Sequence, residues 1–281
     1  MASDGPIESG VRPKKSLGQN FLEDPDIAAR IVDALAPTRD DAVVEIGPGT
    51  GRLTDLLVRQ AGSVTAVEID HSLLRLLQER FADRKNLALI LGDARKFDFE
   101  ALGKEKDRKL LVLGNLPYYI STEFLYHLLD QAGAVDRAVL TFQTEVADRL
   151  LSSPCSKDYG SLTVMVRAAA KVEKVMDIPS SAFHPRPQVG STTLCMRFPV
   201  PAPHPTADPK LFKQIVRAGF GQRRKTLRNA LTACVAQLAP RLDTGEFLKS
   251  SGIDPMRRAE TLSVVEWAML ADKLHANKTS L

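Results

Sequence analysis

The sequence predicts an α/β fold: a largely parallel sheet with helices on its faces, followed by a small all-helical domain. Three observations carry this. Short apolar runs alternate with segments of helical period through most of the chain, as in parallel strands linked by helical crossovers. The turn Gly47-Pro48-Gly49-Thr50-Gly51 follows one such run directly, as at the carboxyl end of a buried strand. Pro199, Pro201, Pro203, Pro205 and Pro209 then crowd a single stretch that cannot form a regular element and suits a stiff linker. The expected domains are therefore residues 1–198, a linker over 199–209 and a helical domain over 210–281.

Taken in order, Asp24 and Pro25 supply a cap and an N1 proline for a helix over 26–36. Strands are expected at 42–46, 64–69, 87–91, 110–113 and 138–142, with helices between them, including 71–81 and 122–131. Residues 162–170 fit a buried strand or a helix equally, and 192–198 reads as a late strand closing the sheet. Beyond the linker the period is helical, with Gly252 and Pro255 dividing it.

The chain has 281 residues, 44% hydrophobic and 26% charged, a composition with ample apolar content for a core. No window approaches the ~18 unbroken apolar residues of a membrane span. The opening MASDGPIESG has acids and no apolar stretch, so a secretory leader is not expected and the cytoplasm is the default compartment. Cys155, Cys195 and Cys234 are odd in number and far apart, which argues against disulfides and zinc and for three buried thiols. The five histidines show no ligand spacing, and no metal is expected. Residues 199–281 hold 13 Lys and Arg against 7 Asp and Glu, a net of +6, whereas the whole chain carries +4. Such one-sidedness suggests a polyanion partner, against the alternative of a solvated helix face.

Gly47, Gly49 and Gly51 allow the backbone to turn tightly and approach a ligand, and the helix after them offers its N-terminus. The spacing is Gly-x-Gly-x-Gly, with Arg52 where a dinucleotide fingerprint would hold its third glycine, which argues against NAD. The next strand ends in Glu68, placed to accept from ribose hydroxyls, and Asp70 reads as a helix cap. The third strand ends at Asp93, where a carboxylate could accept from an adenine amine. In Gly114-Asn115-Leu116-Pro117-Tyr118, Asn115 offers an acceptor oxygen, Pro117 stiffens the backbone and Tyr118 offers a ring face. Alone, this element fits DNA and RNA adenine chemistry equally.

With KKSLGQNFL (14–22), VVEIGPGTGRLT (43–54), VEID (67–70), GDA (92–94), GNLPYYIST (114–122), SAFHPRPQV (181–189), FGQRRKTLRNAL (220–231) and IDPMRRAETLS (253–263), the chain resembles the ribosomal RNA adenine N6,N6-dimethyltransferases. These are class I methyltransferases with a Rossmann-like sheet. The last two segments resemble the housekeeping members more than the erythromycin-resistance enzymes. The resemblance implies S-adenosylmethionine as methyl donor, with Asn20 and Leu22 bordering its site, Gly47 at the methionine end, Gly49 among the cofactor-binding residues, Glu68 at the ribose, Asp93 at the adenine and Asn115 between cofactor and target base. It implies dimethylation of N6 on two adjacent adenosines in the 3′-terminal hairpin loop of small-subunit ribosomal RNA, within the immature 30S particle, late in its assembly. A monomer is expected.

The implied chemistry uses the Asn115 side-chain oxygen and the Leu116 carbonyl as acceptors for the target amine, with Tyr118 and Phe183 sandwiching the extruded base. The 181–189 loop departs from the family pattern at Gln188 and Gly190, which stand where Lys and Asp are usual, and Tyr119 stands where many relatives carry Asn. Lys14, Lys15, Arg223, Arg224, Lys225 and Arg228 are the expected RNA contacts, with Arg224 and Arg228 sharing one helix face. Two other readings stay open: a DNA adenine methyltransferase and an assembly factor that keeps the fold without catalysis.

Overall fold

A computed structural model describes residues 12–279, apart from the side chains of Lys15, Tyr118 and Thr279. The acidic opening segment lies outside the described residues. By backbone contacts the chain divides into two units, one comprising residues up to 147 together with 172–198, the other comprising 148–171 together with everything from 199 onward. The sheet's unit ends at Phe198, and residues 148–171 cluster with the helices beyond it and not with the sheet.

The first unit begins with β1 (Phe21–Leu22), α1 (Pro25–Leu35), β2 (Ala42–Ile46), α2 (Arg52–Gln60), β3 (Ser63–Glu68), α3 (His71–Arg80) and β4 (Leu87–Leu91). It continues with α4 (Phe99–Lys106), β5 (Leu110–Asn115), α5 (Ser121–Asp130), β6 (Val135–Gln143) and the start of α6 (Thr144–Leu151), which passes into the other unit at Asp148, then β7 (Lys171–Ile178), β8 (Phe183–His184) and β9 (Ser191–Arg197). α1 starts where its caps dictate: Asp24 accepts from the Asp26 and Ile27 amides, and Ala36 closes the helix in a left-handed conformation.

The main sheet has the order β4-β3-β2-β5-β6-β9-β7. β2 is buried along its whole length, as a parallel strand covered on both faces should be. It pairs in parallel with β3 on one side and β5 on the other, while β9 runs antiparallel to β6. The chain winds outward from β2 through β3 to β4, then returns to place β5 on the opposite flank of β2. The crevice outside the carboxyl ends of β2 and β5 is therefore the topological switch point, where open α/β sheets bind ligands. Ile46 and Gly114 are paired there, which brings the glycine turn beside Asn115. A second, two-stranded ladder pairs Phe21 with His184 and Leu22 with Phe183.

Several expectations are corrected. Residues 162–170 form a helix, α7 (Ser161–Ala169). β7 was not foreseen because it is a mostly solvated strand, KVEKVMDI, whose polar positions break the apolar signal. The two-residue ladder is too short to leave a periodic trace. Of the three thiols only Cys195 is buried; Cys155 is exposed, at a left-handed residue, and Cys234 is half-buried. The proline-rich stretch is not a free spacer: the His204 amide donates to the Ala168 carbonyl and the Ala207 amide to Asp272. Pro209 is the first residue of a helix and not the linker's end.

The second unit comprises α7, α8 (Pro209–Gly221), α9 (Leu227–Leu238), α10 (Thr244–Ser250) and α11 (Val264–Thr279). No helix among the described residues is long and apolar enough to cross a membrane. Its core is aromatic: Phe220 lies 6.0 Å from Tyr159 and 5.7 Å from Trp267 between ring centroids, and Trp267 is fully buried. Gly219 makes that packing possible, because a Cβ there would lie 2.4 Å from the Trp267 ring. Glycine in a helix interior costs ~0.5–1 kcal/mol relative to alanine, whereas overpacking a core costs ~1–3 kcal/mol. Gly219→Ala is therefore expected to lower the thermal unfolding midpoint despite its better helix propensity; a raised midpoint by calorimetry would contradict this packing account.

Candidate active site

One cleft at the switch point encloses about 1020 Å³ of empty space, part of it open to solvent, and Asn20, Leu22, Gly47, Gly49, Glu68, Asp93, Asn115, Leu116 and Phe183 all line it. Sequence positions separated by more than 160 residues thus converge on one surface. The floor is the glycine turn, the sides are the ends of β3, β4 and β5, and the segment Leu17–Leu22 forms a further wall.

Gly47, Gly49 and Gly51 all adopt positive φ, at 65°, 58° and 85°, where side chains are disfavoured. Space enforces the last two as strongly. A Cβ on Gly51 would lie 2.7 Å from Phe81 and 2.8 Å from Leu77, and one on Gly49 would lie 3.0 Å from Phe21. Gly51 is also the N-cap of α2, so the turn passes straight into a helix whose N-terminal residue, Arg52, lines the cleft.

Glu68 is 4% exposed and each carboxylate oxygen accepts one main-chain amide: Oε2 from Gly49 at 3.3 Å and Oε1 from Asp70 at 2.9 Å. Burial raises its pKa, and the amides of Asp70, Gly49 and Ile69 pull it back. It ties the glycine turn to the end of β3 while facing the cleft. Asp93 caps a short 3-10 turn and is gripped by Arg95, whose Nη2 donates to Oδ2 at 2.7 Å and whose Nε donates to Oδ1 at 3.0 Å. The Arg95 guanidinium holds the Asp93 carboxyl below its ordinary range. Arg95 also pairs with Glu123 on α5, linking the Asp93 turn to the helix that follows the Asn115 loop. This bridge was missed, although an arginine two residues after an aspartate at a strand end is a signal that could have found it.

Asn115 donates from Nδ2 to the Asn20 carbonyl at 3.4 Å, which leaves its Oδ1 as the acceptor. The loop that follows is braced by the Pro117 carbonyl, which accepts from the Ile120 amide and the Ser121 hydroxyl. Leu116 has its side chain buried, and Tyr119 is about half exposed. The Tyr118 ring, an expected stacking face, lies outside the described residues. Phe183 differs from expectation: it is 5% exposed and packs in the sheet's apolar core against residues such as Leu22, so it forms cleft wall and not an open platform.

The basic candidates separate into two groups. Lys14 was expected to be free for phosphate, but its Nζ donates to Asp70 at 2.6 Å; the Lys15 side chain lies outside the described residues. Arg223 is also structural, donating to the carbonyls of Lys157 at 2.8 Å and Tyr159 at 3.2 Å and pairing with Glu260. Arg224 and Lys225 are exposed in the turn between α8 and α9, and Arg228 is exposed in the first turn of α9. Arg224 and Arg228 therefore do not share a helix face, because Thr226 caps a new helix between them.

Beneath the turn, Glu45 on β2 is 1% exposed; Thr54 donates to its Oε2 at 2.7 Å, and its Oε1 has no hydrogen-bond partner. Burial pushes its pKa from 4.5 up to about 7, with Thr54 lowering it and the Glu68 charge raising it. A carboxyl whose pKa is higher in the folded state stabilises the fold fully below its unfolded pKa, and that contribution disappears as pH rises through the folded value. Glu45→Gln keeps an acceptor for Thr54 and removes the charge. Relative to the parent protein, it is expected to gain stability between pH 4.5 and about 7 and hold that gain above. Denaturant unfolding at several pH values checks this; a constant difference would exclude Glu45 as the titrating group.

The family model for ribosomal RNA adenine dimethylase matches residues 10–275. The ribosomal RNA small subunit methyltransferase A of Anaeromyxobacter sp. (strain K) is 42% identical over 268 residues, spanning 92% of this chain and 93% of its own. Among solved structures, a dimethyladenosine transferase from Plasmodium falciparum superposes with a TM-score of 0.78 at 26% identity, covering 89% of this chain and 95% of that one. The 23S rRNA methyltransferase ErmE superposes with a TM-score of 0.68 at 25% identity, covering 91% and 100%. The match spans both units, the cleft included, and the chain belongs to the ribosomal RNA adenine dimethylase family.

Proposed function

We propose that the protein dimethylates N6 of two adjacent adenosines in the 3′-terminal hairpin loop of small-subunit ribosomal RNA, late in assembly of the 30S particle, acting as a monomer in the cytoplasm. As a family member it is an S-adenosylmethionine-dependent rRNA adenine dimethyltransferase. The observation that supports the adenine-amine chemistry is Asn115: its amide nitrogen donates to the Asn20 carbonyl, which leaves an acceptor oxygen in the cleft that Glu68 and Asp93 also line.

The chemistry of the cleft suits S-adenosylmethionine. Glycines keep its floor free of side chains, Glu68 offers spare lone pairs for ribose hydroxyls, Asp93 offers a carboxylate for an adenine amine, and Ile69 and Leu116 supply apolar walls. When bound, S-adenosylmethionine supplies a methyl group activated by a sulfonium. The chain's own residues then have to present a poor nucleophile. An adenine N6 lone pair is delocalised into the ring, and hydrogen-bond acceptors on its two N–H groups favour the tetrahedral, cationic form. Asn115 Oδ1 and the Leu116 carbonyl are the acceptors we assign to this task. Pro117 and its carbonyl bonds keep the pair from reorganising, and the walls exclude water and fix approach. Leu22 and Phe183 also line the cleft; we assign Leu22 to the cofactor's border and Phe183 to the wall beside the target base. Tyr118 is assigned the stacking face.

Cells lacking the protein, complemented with the parent gene or Asn115→Ala, test this directly by mass spectrometry of small-subunit RNA. The parent is expected to restore two adjacent dimethyladenosines. Asn115→Ala is expected to lose at least ~10²-fold in transfer rate, the usual scale for removing one transition-state hydrogen bond. Restoration by the variant at the parent rate would overturn the assignment. RNA binding is assigned to the exposed turn at Arg224, Lys225 and Arg228, since Lys14 and Arg223 have internal partners. Arg224→Glu with Lys225→Glu is expected to weaken binding to immature small subunits and flatten its salt dependence by about one unit of slope per lost phosphate contact; an unchanged slope would reduce this turn to solvated surface.

A further inference from the structure

We propose that Asp70 is a positioning residue: it clasps residues 14–22 against the cleft and thereby sets the orientation of the Asn115 amide. The role in transfer rests on the methyltransferase reading above. Asp70 is 2% exposed, and it carries more partners than capping needs. As N-cap of α3 it accepts from the Ser72 amide at 2.9 Å, a task that one serine oxygen performs nearly as well. The same Oδ1 also accepts from Lys14 Nζ at 2.6 Å, and Oδ2 accepts from Gln19 Nε2 at 2.9 Å. Gln19 in turn accepts the Lys14 amide at 2.7 Å through Oε1. Lys14, Gln19 and Asp70 therefore form a closed ring of hydrogen bonds between a segment near the N-terminus and the end of β3.

The residue after Gln19 gives that ring its consequence. The Asn20 carbonyl accepts Asn115 Nδ2 at 3.4 Å, near the long limit for such a bond. A bond this long does not hold the segment down; its existence depends on where the segment is held. The other anchor, the β1–β8 ladder, pairs only Phe21 with His184 and Leu22 with Phe183, and so small a ladder is marginal alone. Beyond Asn20 the segment is also held by the buried side chains of Phe21 and Leu22 and by the Glu23 amide, which donates to the Ala182 carbonyl at 2.9 Å; on the N-terminal side of Asn20 the clasp is the anchor. Without it, the Asn20 carbonyl recedes, the Asn115 amide is free to turn over, and a donor NH2 faces the target amine as often as the acceptor oxygen does.

Asp70→Ser separates clasp from cap, since serine keeps a capping oxygen but is too short and uncharged to hold Lys14 and Gln19. The expected result is amide hydrogen exchange across residues 14–22 at least tenfold faster, kcat for methyl transfer at least tenfold lower, RNA KM within twofold of the parent, and an unfolding midpoint within a few degrees. Lys14→Met combined with Asp70→Ser is expected to lose no more than Asp70→Ser alone, because Lys14 acts through Asp70. Unchanged exchange would overturn the clasp, and faster exchange with parent kcat would overturn its effect on Asn115. Multiplicative losses in the double variant, or a rise in RNA KM with kcat kept, would assign Lys14 to RNA instead. If the parent protein failed to methylate ribosomal RNA, the functional reading would fall, while the exchange comparison would still decide the clasp.

Discussion

The site is organised by the problem of burying a carboxylate. Glu68 sits at the end of β3, almost without solvent, and a carboxylate in that position must find donors. It finds them in the main-chain amides of Gly49 and Asp70. Those two bonds fix the height of the glycine turn over β3 and the point at which β3 gives way to α3. Asp70 in turn accepts from the Gln19 side chain, and the neighbouring Asn20 carbonyl accepts from Asn115. The order of dependence runs from the centre of the sheet outward, so the Asn115 end of the cleft is reached through groups nearer the core.

Crowding acts together with these bonds. Gly51 turns with positive φ against Phe81 and Leu77, and Gly49 lies under Phe21, so the turn is closed from both sides and passes into α2 at once. Position 52, where a dinucleotide fingerprint would hold its third glycine for close helix–strand packing, is Arg52, the first residue of α2. Glu45, one layer deeper, is a cost of the same arrangement: its second oxygen has no hydrogen-bond partner beneath a turn that needs a packed floor.

Much of this was legible in the sequence because it rests on local rules. The strands of the parallel core read as apolar runs, Asp24 and Pro25 as a helix start, Asp70 as a cap, and Glu68, Asp93 and Asn115 as polar residues at strand ends. What stayed hidden depends on contacts between distant residues. Lys14 and Asp70 are 56 positions apart, and nothing in either neighbourhood marks them as a pair. Arg223 looks like one cation among several until the carbonyls of Lys157 and Tyr159 are brought to it. Phe183 carries an aromatic ring in a loop, and only the two-residue ladder shows that the ring is turned inward. Composition signals a charged surface, but it does not say which charges are already answered.

The helical excursion over 148–171 has a consequence for how the molecule is made. α7 and Tyr159 belong to a unit whose other helices lie beyond residue 198, and Tyr159 meets Phe220 in its core. A nascent chain that has emerged only as far as β9 presents α7 with its apolar face waiting for partners that are still being synthesised. The two units are interleaved along the polypeptide, so the helices cannot be trimmed off as an appendage or exchanged as a cassette without orphaning α7. Inheritance of the sheet and of the helices is thereby tied together.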